Sequence, residues 1–286
     1  MTPRGGIFDA HTDTLLVVPS HAALRANKET RLDIERASSG GVSGVVLAIC
    51  AEAAKDPRSS LDRGLRIFRE LGDVESPELL LGLEGCEPLA AGWLSAGDIE
   101  LIAVASLTWN GVNSLGGGTG TDIGLSPTGR RLAERLYAAG VAIDVSHLCD
   151  RARADLFSTG LPVVATHCNC RSLCDTPRNL PDDDIREIAA TGGVIGITLV
   201  PAFLGPEASL RTVADHLEHA AEVAGLCHVG LGSDFDGVDN LPAGVEDCRS
   251  WPALFDEMER RGWRSGELEL VAGANWRKVL SPRRTQ

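Results

Sequence analysis

Short apolar runs alternate with amphipathic stretches along the whole chain. Eight runs, Ile7–Asp13, Val42–Cys50, Leu79–Gly85, Glu100–Leu107, Val141–His147, Pro162–His167, Gly193–Val200 and Val229–Gly237, are mostly apolar. Each predicts a buried strand. Helical spacing fills most of the gaps: Leu61–Leu71, Ser126–Ala139, Asp150–Thr159, Asp182–Ala190 and Ser209–Ala224, then segments near Pro252–Arg261 and Glu267–Leu280. The unit around Asp150–Thr159 is the most explicit, a βαβ pattern whose two strands both end in a histidine, His147 and His167. In such a unit the C-terminal strand ends open on one face. The predicted fold is α/β, a (β/α)8 TIM-type barrel, with a doubly wound sheet as the alternative.

Length and composition fit that expectation. The chain has 286 residues, 43% hydrophobic and 23% charged, with no evident linker, which predicts a single domain over residues 1–286. A net charge of −13 argues against nucleic acid or an anionic membrane surface as partner. No signal peptide, long apolar span or lipid-anchor tail is evident, so the expected location is the cytoplasm, with no membrane anchor. The Gly116–Thr121 loop lacks the Gly-Lys-Ser/Thr ending of a phosphate loop. Cys168, Cys170 and Cys174 lack the spacing of a zinc or redox pair and read as loop thiols. His216 and His219 are expected on the outer face of their helix.

The residues able to bind or react fall at the ends of five predicted strands: His11 and Asp13, Glu84, His147, His167, and Asp234. A barrel gathers those ends around one mouth; an open sheet spreads them along a line. His11 and Asp13, two apart, point to one side of a strand. Imidazole with carboxylate suits Zn²⁺, with Mn²⁺ or Fe²⁺ as alternatives. Six groups exceed the needs of one tetrahedral ion, but two ions about 3.5–4 Å apart would use them all, and Glu84 could bridge.

Seven stretches, taken in order, resemble the membrane (renal) dipeptidases, dinuclear-zinc peptidases of the amidohydrolase-like superfamily. They are Asp9–Asp13, Leu83–Gly85, Asp144–His147, Thr166–Asn169, Arg178–Asp183, Gly230–Gly237 and Gly273–Arg277. The resemblance implies hydrolysis of dipeptides by a hydroxide bridging two zinc ions per chain, and it admits, without requiring, those with C-terminal D-residues. It implies that His11 and Asp13 bind one zinc, that His147 and His167 bind the other, and that Glu84 bridges them. Asp234 is then the acid/base carboxylate, and Arg178 grips the substrate's C-terminal carboxylate. Asp236 reads equally as structural, and Asp9 as a partner to the ligands or a barrel-interior polar group. Where animal members carry a histidine after the fourth strand, this chain has Trp109. Indole only donates, so Asn110, Asn113 or zinc inherits that contact with the substrate. The resemblance also admits a homodimer.

Two other readings compete. Other barrel metallohydrolases, acting on lactones or cyclic amides, usually open with His-x-His and a carboxylated lysine. This chain has His11-x-Asp13, and its three lysines lie elsewhere. A non-catalytic binding protein on the same scaffold would not require competent residues at all six positions.

Overall fold

A computed structural model describes residues 3–72 and 74–280. All eight predicted strands form, and they make one parallel sheet: β1 (Ile7–Thr12), β2 (Val42–Ile49), β3 (Glu78–Glu84), β4 (Ile102–Ser106), β5 (Ala142–Asp144), β6 (Val163–Val164), β7 (Ile195–Ile197) and β8 (Val229–Leu231). Their spatial order is β6-β5-β4-β3-β2-β1-β8-β7. The free edges of β6 and β7 meet through the bridge Ala165–Ile195, with Ala165 N donating to Val194 O (3.0 Å) and Gly196 N to Ala165 O (2.7 Å). The sheet therefore closes into a barrel, and the doubly wound alternative falls.

Alternation along the strands divides the interior into layers. Val45, Leu47, Leu81 and Leu83 pack outward with helix residues such as Leu61 and Leu65. Phe8, Ala10, Val46, Leu80, Val104, Ala142 and Val164 form a second cluster with Trp276 and Leu280, the apolar floor of the barrel. The C-terminal helix Asn275–Leu280 delivers Trp276, whose indole N–H donates to Leu231 O (3.0 Å). A Cβ on Gly230 would strike that indole, so the bare backbone there makes room for it. One step above the floor, the inward positions become polar: Glu84, Ser106, Asp144 and Thr166.

Strict alternation would put His11 outside with Ile7. A register shift between Asp9 and Thr12 against β2 supplies one extra residue, a bulge that turns His11 inward. The β1–β8 seam has a single register pair, Asp9–Leu231. Other bonds reinforce it: Ser233 N donates to Asp9 Oδ1 (2.8 Å), Asp234 N to His11 O (3.0 Å) and Asp13 N to Phe235 O (2.8 Å). Asp9 thus holds the seam, and burial raises its carboxyl to about 6.

The later strands are shorter than the apolar runs that announced them. β5 stops at Asp144 because the Asp144 carboxylate takes over as acceptor for Ser146 N (2.9 Å) and Thr166 N (3.0 Å). No helix among the described residues is long and apolar enough to cross a membrane. His216 differs from expectation: it is buried, and its Nδ1 accepts from Cys170 N (3.1 Å), bracing the loop after β6. That loop covers a helix face which appears solvent-facing when the helix is considered alone.

Candidate metal centre

Each of the six residues singled out from the strand ends reaches the same mouth of the barrel, and each is buried. His11 and Glu84 lie in β1 and β3 themselves, while His147, His167 and Asp234 sit on turns three residues past β5, β6 and β8. His147 (φ 70°) and Asp234 (φ 64°) are left-handed there, as is Asp236 (φ 67°). This conformation is costly for residues other than glycine and clusters at functional sites. The His147 turn is held by Thr119, whose N–H (2.8 Å) and hydroxyl (3.1 Å) both donate to His147 O.

The donor atoms converge on Glu84. Its Oε1 lies 2.5 Å from His147 Nε2 and 3.5 Å from His167 Nε2. Its Oε2 lies 3.9 Å from His11 Nε2, which is 3.8 Å from Asp13 Oδ1. The two carboxylate oxygens thus face different ligand pairs. His11, Glu84 and His167 form one group able to hold a metal, and His11, Asp13 and Asp234 another. Neither group contains a cysteine, and all eight cysteines are free thiols.

Three observations show that this donor set fits cations. His11 Nε2 and Asp13 Oδ1 are buried with no hydrogen-bond partner in the protein, an uncommon state for native polar atoms. His147 Nε2 and His167 Nε2 lie only 3.0 Å apart. Asn110 Oδ1 takes the proton of His147 Nδ1 (2.9 Å), and Thr166 Oγ1 takes that of His167 Nδ1 (2.8 Å). Both Nε2 atoms therefore present lone pairs to the same space, which favours a positive charge between them.

Burial, with smaller contributions from neighbouring groups, drives His11 and His167 down to about 3, and it also lowers His147, so all three imidazoles are neutral. Asp13 is raised by burial and by Glu84, Asp234 and Asp236, and Asp234 by burial and Glu84 to about 7. Three clustered carboxylates, relieved only in part by the Arg178 charge that lowers Asp234, are what a pair of divalent ions would neutralise.

Arg178 sits beside this cluster on the loop after β6. Its guanidinium is buried, with Nη2 3.4 Å from His167 O, Nη1 3.8 Å from Cys168 Sγ, and Cζ 5.3 Å from the centre of the Phe203 ring. Among the described residues it has no carboxylate within ion-pair distance, so the loop salt bridge that would give it a purely structural role is absent. Trp109 lies at the rim, 6.2 Å from the His147 ring.

Asn113 and Asn110 both make hydrogen bonds within the protein. Asn113 donates to Glu52 Oε1 (3.0 Å) and Leu107 O (2.9 Å) and accepts from Leu115 N and Gly116 N, so it braces its loop. Asn110 directs its amide oxygen to His147. Asp236 is structural, accepting from Arg31 N and from the Thr14 hydroxyl (2.6 Å).

Sequence comparison agrees with the geometry. Residues 75–285 match the profile of the membrane dipeptidases, peptidase family M19. The chain belongs to the membrane dipeptidase family. The match excludes β1, so His11 and Asp13 enter the site on geometry alone. An uncharacterized dipeptidase of Schizosaccharomyces pombe is 36% identical over 167 residues, covering 57% of this chain and 41% of that protein. Dipeptidase 3 of Rattus norvegicus is 35% identical over 160 residues, covering 55% and 33%. The matched segment thus spans less than half of these two relatives. The fold is shared with an M19 dipeptidase crystal structure (TM-score 0.82, 24% identity, 98% of this chain and 99% of that one). It is also shared with a Rhodobacter sphaeroides metallopeptidase bound to a phosphinate mimic of L-Ala-D-Ala (TM-score 0.81, 23% identity, 98% and 99%).

Sequence reasoning did not single out Gly237. A Cβ there would collide with carboxylate oxygens of both Asp13 and Asp234. Gly237→Ala should therefore displace both groups, removing part of the bound metal and lowering kcat/KM by about 10²-fold, the scale of a 1 Å misplacement. Elemental analysis and kinetics on one preparation test this, and wild-type values for both would show that the carboxylates have room to move.

Proposed function

We propose that this membrane dipeptidase family member hydrolyses free dipeptides with two zinc ions at the barrel mouth. The observation that carries the reading is the buried Arg178 guanidinium, without a protein carboxylate, beside a cluster of unpaired metal donors. His11 and Asp13 would hold one ion, His147 and His167 the other, and Glu84 would lie between them with one oxygen toward each pair. Bound there, the ions would supply a water activated at neutral pH and polarise the scissile carbonyl.

The rest of the chemistry belongs to the chain's own groups. Arg178 would take the C-terminal carboxylate of the substrate in a two-pronged grip. That contact fixes the scissile bond relative to the centre and selects for a free C-terminus one residue beyond it. It reads the carboxylate rather than the side chain, so C-terminal D-residues fall within the proposed range. As water adds to the carbonyl carbon, Asp234 would accept its proton and then return it to the amine leaving with the broken C–N bond.

The test combines metal analysis with a library of dipeptides, including C-terminal D-residues, and with dipeptide amides and lactones as controls. About two zinc ions per chain and hydrolysis confined to free dipeptides are expected. Full activity with one ion, or preferential lactone hydrolysis, would overturn the reading.

A further inference from the structure

We infer that Thr166, held by Asp144, is a positioning residue shared by the two halves of the metal centre. This rests on the dinuclear reading above and concerns the layer between that centre and the apolar floor. Thr166 Oγ1 lies 2.5 Å from Asp144 Oδ2, 2.8 Å from His167 Nδ1 and 3.5 Å from His11 Nδ1. All four residues are buried. The His11 and His167 rings lie with centroids 3.8 Å apart, tilted by 35°, and both Nδ1 atoms approach the same hydroxyl.

Proton directions follow from the acceptors available. Asp144 Oδ1 already accepts from Ser146 N and Thr166 N, and Oδ2 takes the hydroxyl proton. The threonine oxygen then has only lone pairs to offer, a close one to His167 Nδ1–H and a long one, at 3.5 Å, to His11 Nδ1–H, with the Ser146 hydroxyl also 3.5 Å away. That leaves the proton on Nδ1 in both imidazoles and a lone pair on Nε2, the atom facing Glu84. His11 belongs to one proposed cation site and His167 to the other, so a single hydroxyl sets the ligand form on both sides. Asn110 does the same for His147 alone.

Thr166→Val keeps the shape and removes the acceptor. Asp144→Asn acts through the hydroxyl: an amide N–H₂ at the Oδ2 position would donate to Oγ1 and turn the hydroxyl proton toward His167 Nδ1. The imidazole proton would then move to Nε2, the form that cannot ligate.

The experiment strips metal from each protein and titrates zinc back in competition with a chromophoric chelator, reading both stepwise dissociation constants without any activity assay. In Thr166→Val both constants should rise by roughly 10–100-fold. Thr166→Ser should restore them, and the metal-free Thr166→Val protein should melt lower because Asp144 Oδ2 loses its donor, a loss read separately from the constants. A brace with no role at the metal would lower the melting temperature and leave both constants unchanged. If either constant in folded Thr166→Val stays within twofold of wild type, the inference is wrong. If Thr166→Val does not fold, Asp144→Asn decides by the same criterion. Wild-type protein that binds fewer than two ions would instead overturn the dinuclear reading, before any variant is compared.

Discussion

Asp234→Asn is expected to keep both metal ions and near-normal substrate binding while kcat falls by about 10²–10⁴-fold, the range of general acid–base catalysis. The substitution preserves volume and the turn, since Asp234 N still donates to His11 O and the left-handed backbone suits asparagine as well as aspartate. What disappears is the oxygen that takes a proton from water and returns it to the amine. A carboxylate that merely braced the turn at Phe235 would give another pattern, with lost stability and little change in turnover of folded protein. Zinc content, melting temperature and kcat should be measured on one preparation. Full metal, unchanged melting and turnover within a few-fold of wild type would remove Asp234 from the mechanism.

Arg178→Lys should lower kcat/KM for free dipeptides by roughly 10²–10³-fold, although the charge is kept. The reason lies in shape and burial. A guanidinium offers two parallel N–H donors to a carboxylate, while an ammonium is a point charge that prefers water. Truncating one partner of a buried charge pair typically costs about 2–5 kcal/mol. Dipeptide amides supply no carboxylate, so the wild-type protein should hydrolyse them poorly and the variant should lose little further on them. Comparing the two substrate classes in both proteins isolates the grip. Equal losses on dipeptides and on their amides would show that Arg178 serves the fold instead.

The barrel itself was readable from the sequence. All eight strand runs and most crossover helices lie where the apolar patterning put them, because parallel strands buried on both faces must be continuously apolar. The proposed ligand positions were readable for a related reason: polar groups at the ends of such runs have only the barrel mouth to occupy. The last few residues of the later runs were misleading. His147 and Asp234 read as strand termini, yet both lie in left-handed turns, a conformation signalled in sequence mainly by glycine or asparagine. The bulge in β1 was equally hidden, since an extra residue in a buried strand leaves the hydrophobic pattern intact. The sequence offers Asn110 and Asn113 as substrate contacts and gives Thr166 no role, because their partners, from Glu52 to the imidazole edges, adjoin them only after closure. Inward alternation above Ala142 and Val164, and their place at the head of the Asp144–His147 and Thr166–Asn169 stretches, were the available signals for Asp144 and Thr166.

The β1–β8 seam sets an order for assembly. The proposed ligands lie between residues 11 and 167, but the strand that flanks β1 on its second side begins at Val229. A chain still emerging from the ribosome with between 167 and 229 residues exposed carries every proposed ligand. Its β1, however, can pair only with β2, without the bonds that Ser233, Asp234 and Phe235 make to Asp9, His11 and Asp13. His11 and Asp13 therefore stay on an open edge until residues 229–235 have been made and have docked beside β1. The proposed site is thus completed only when the eighth strand docks, after all of its proposed ligands have been made.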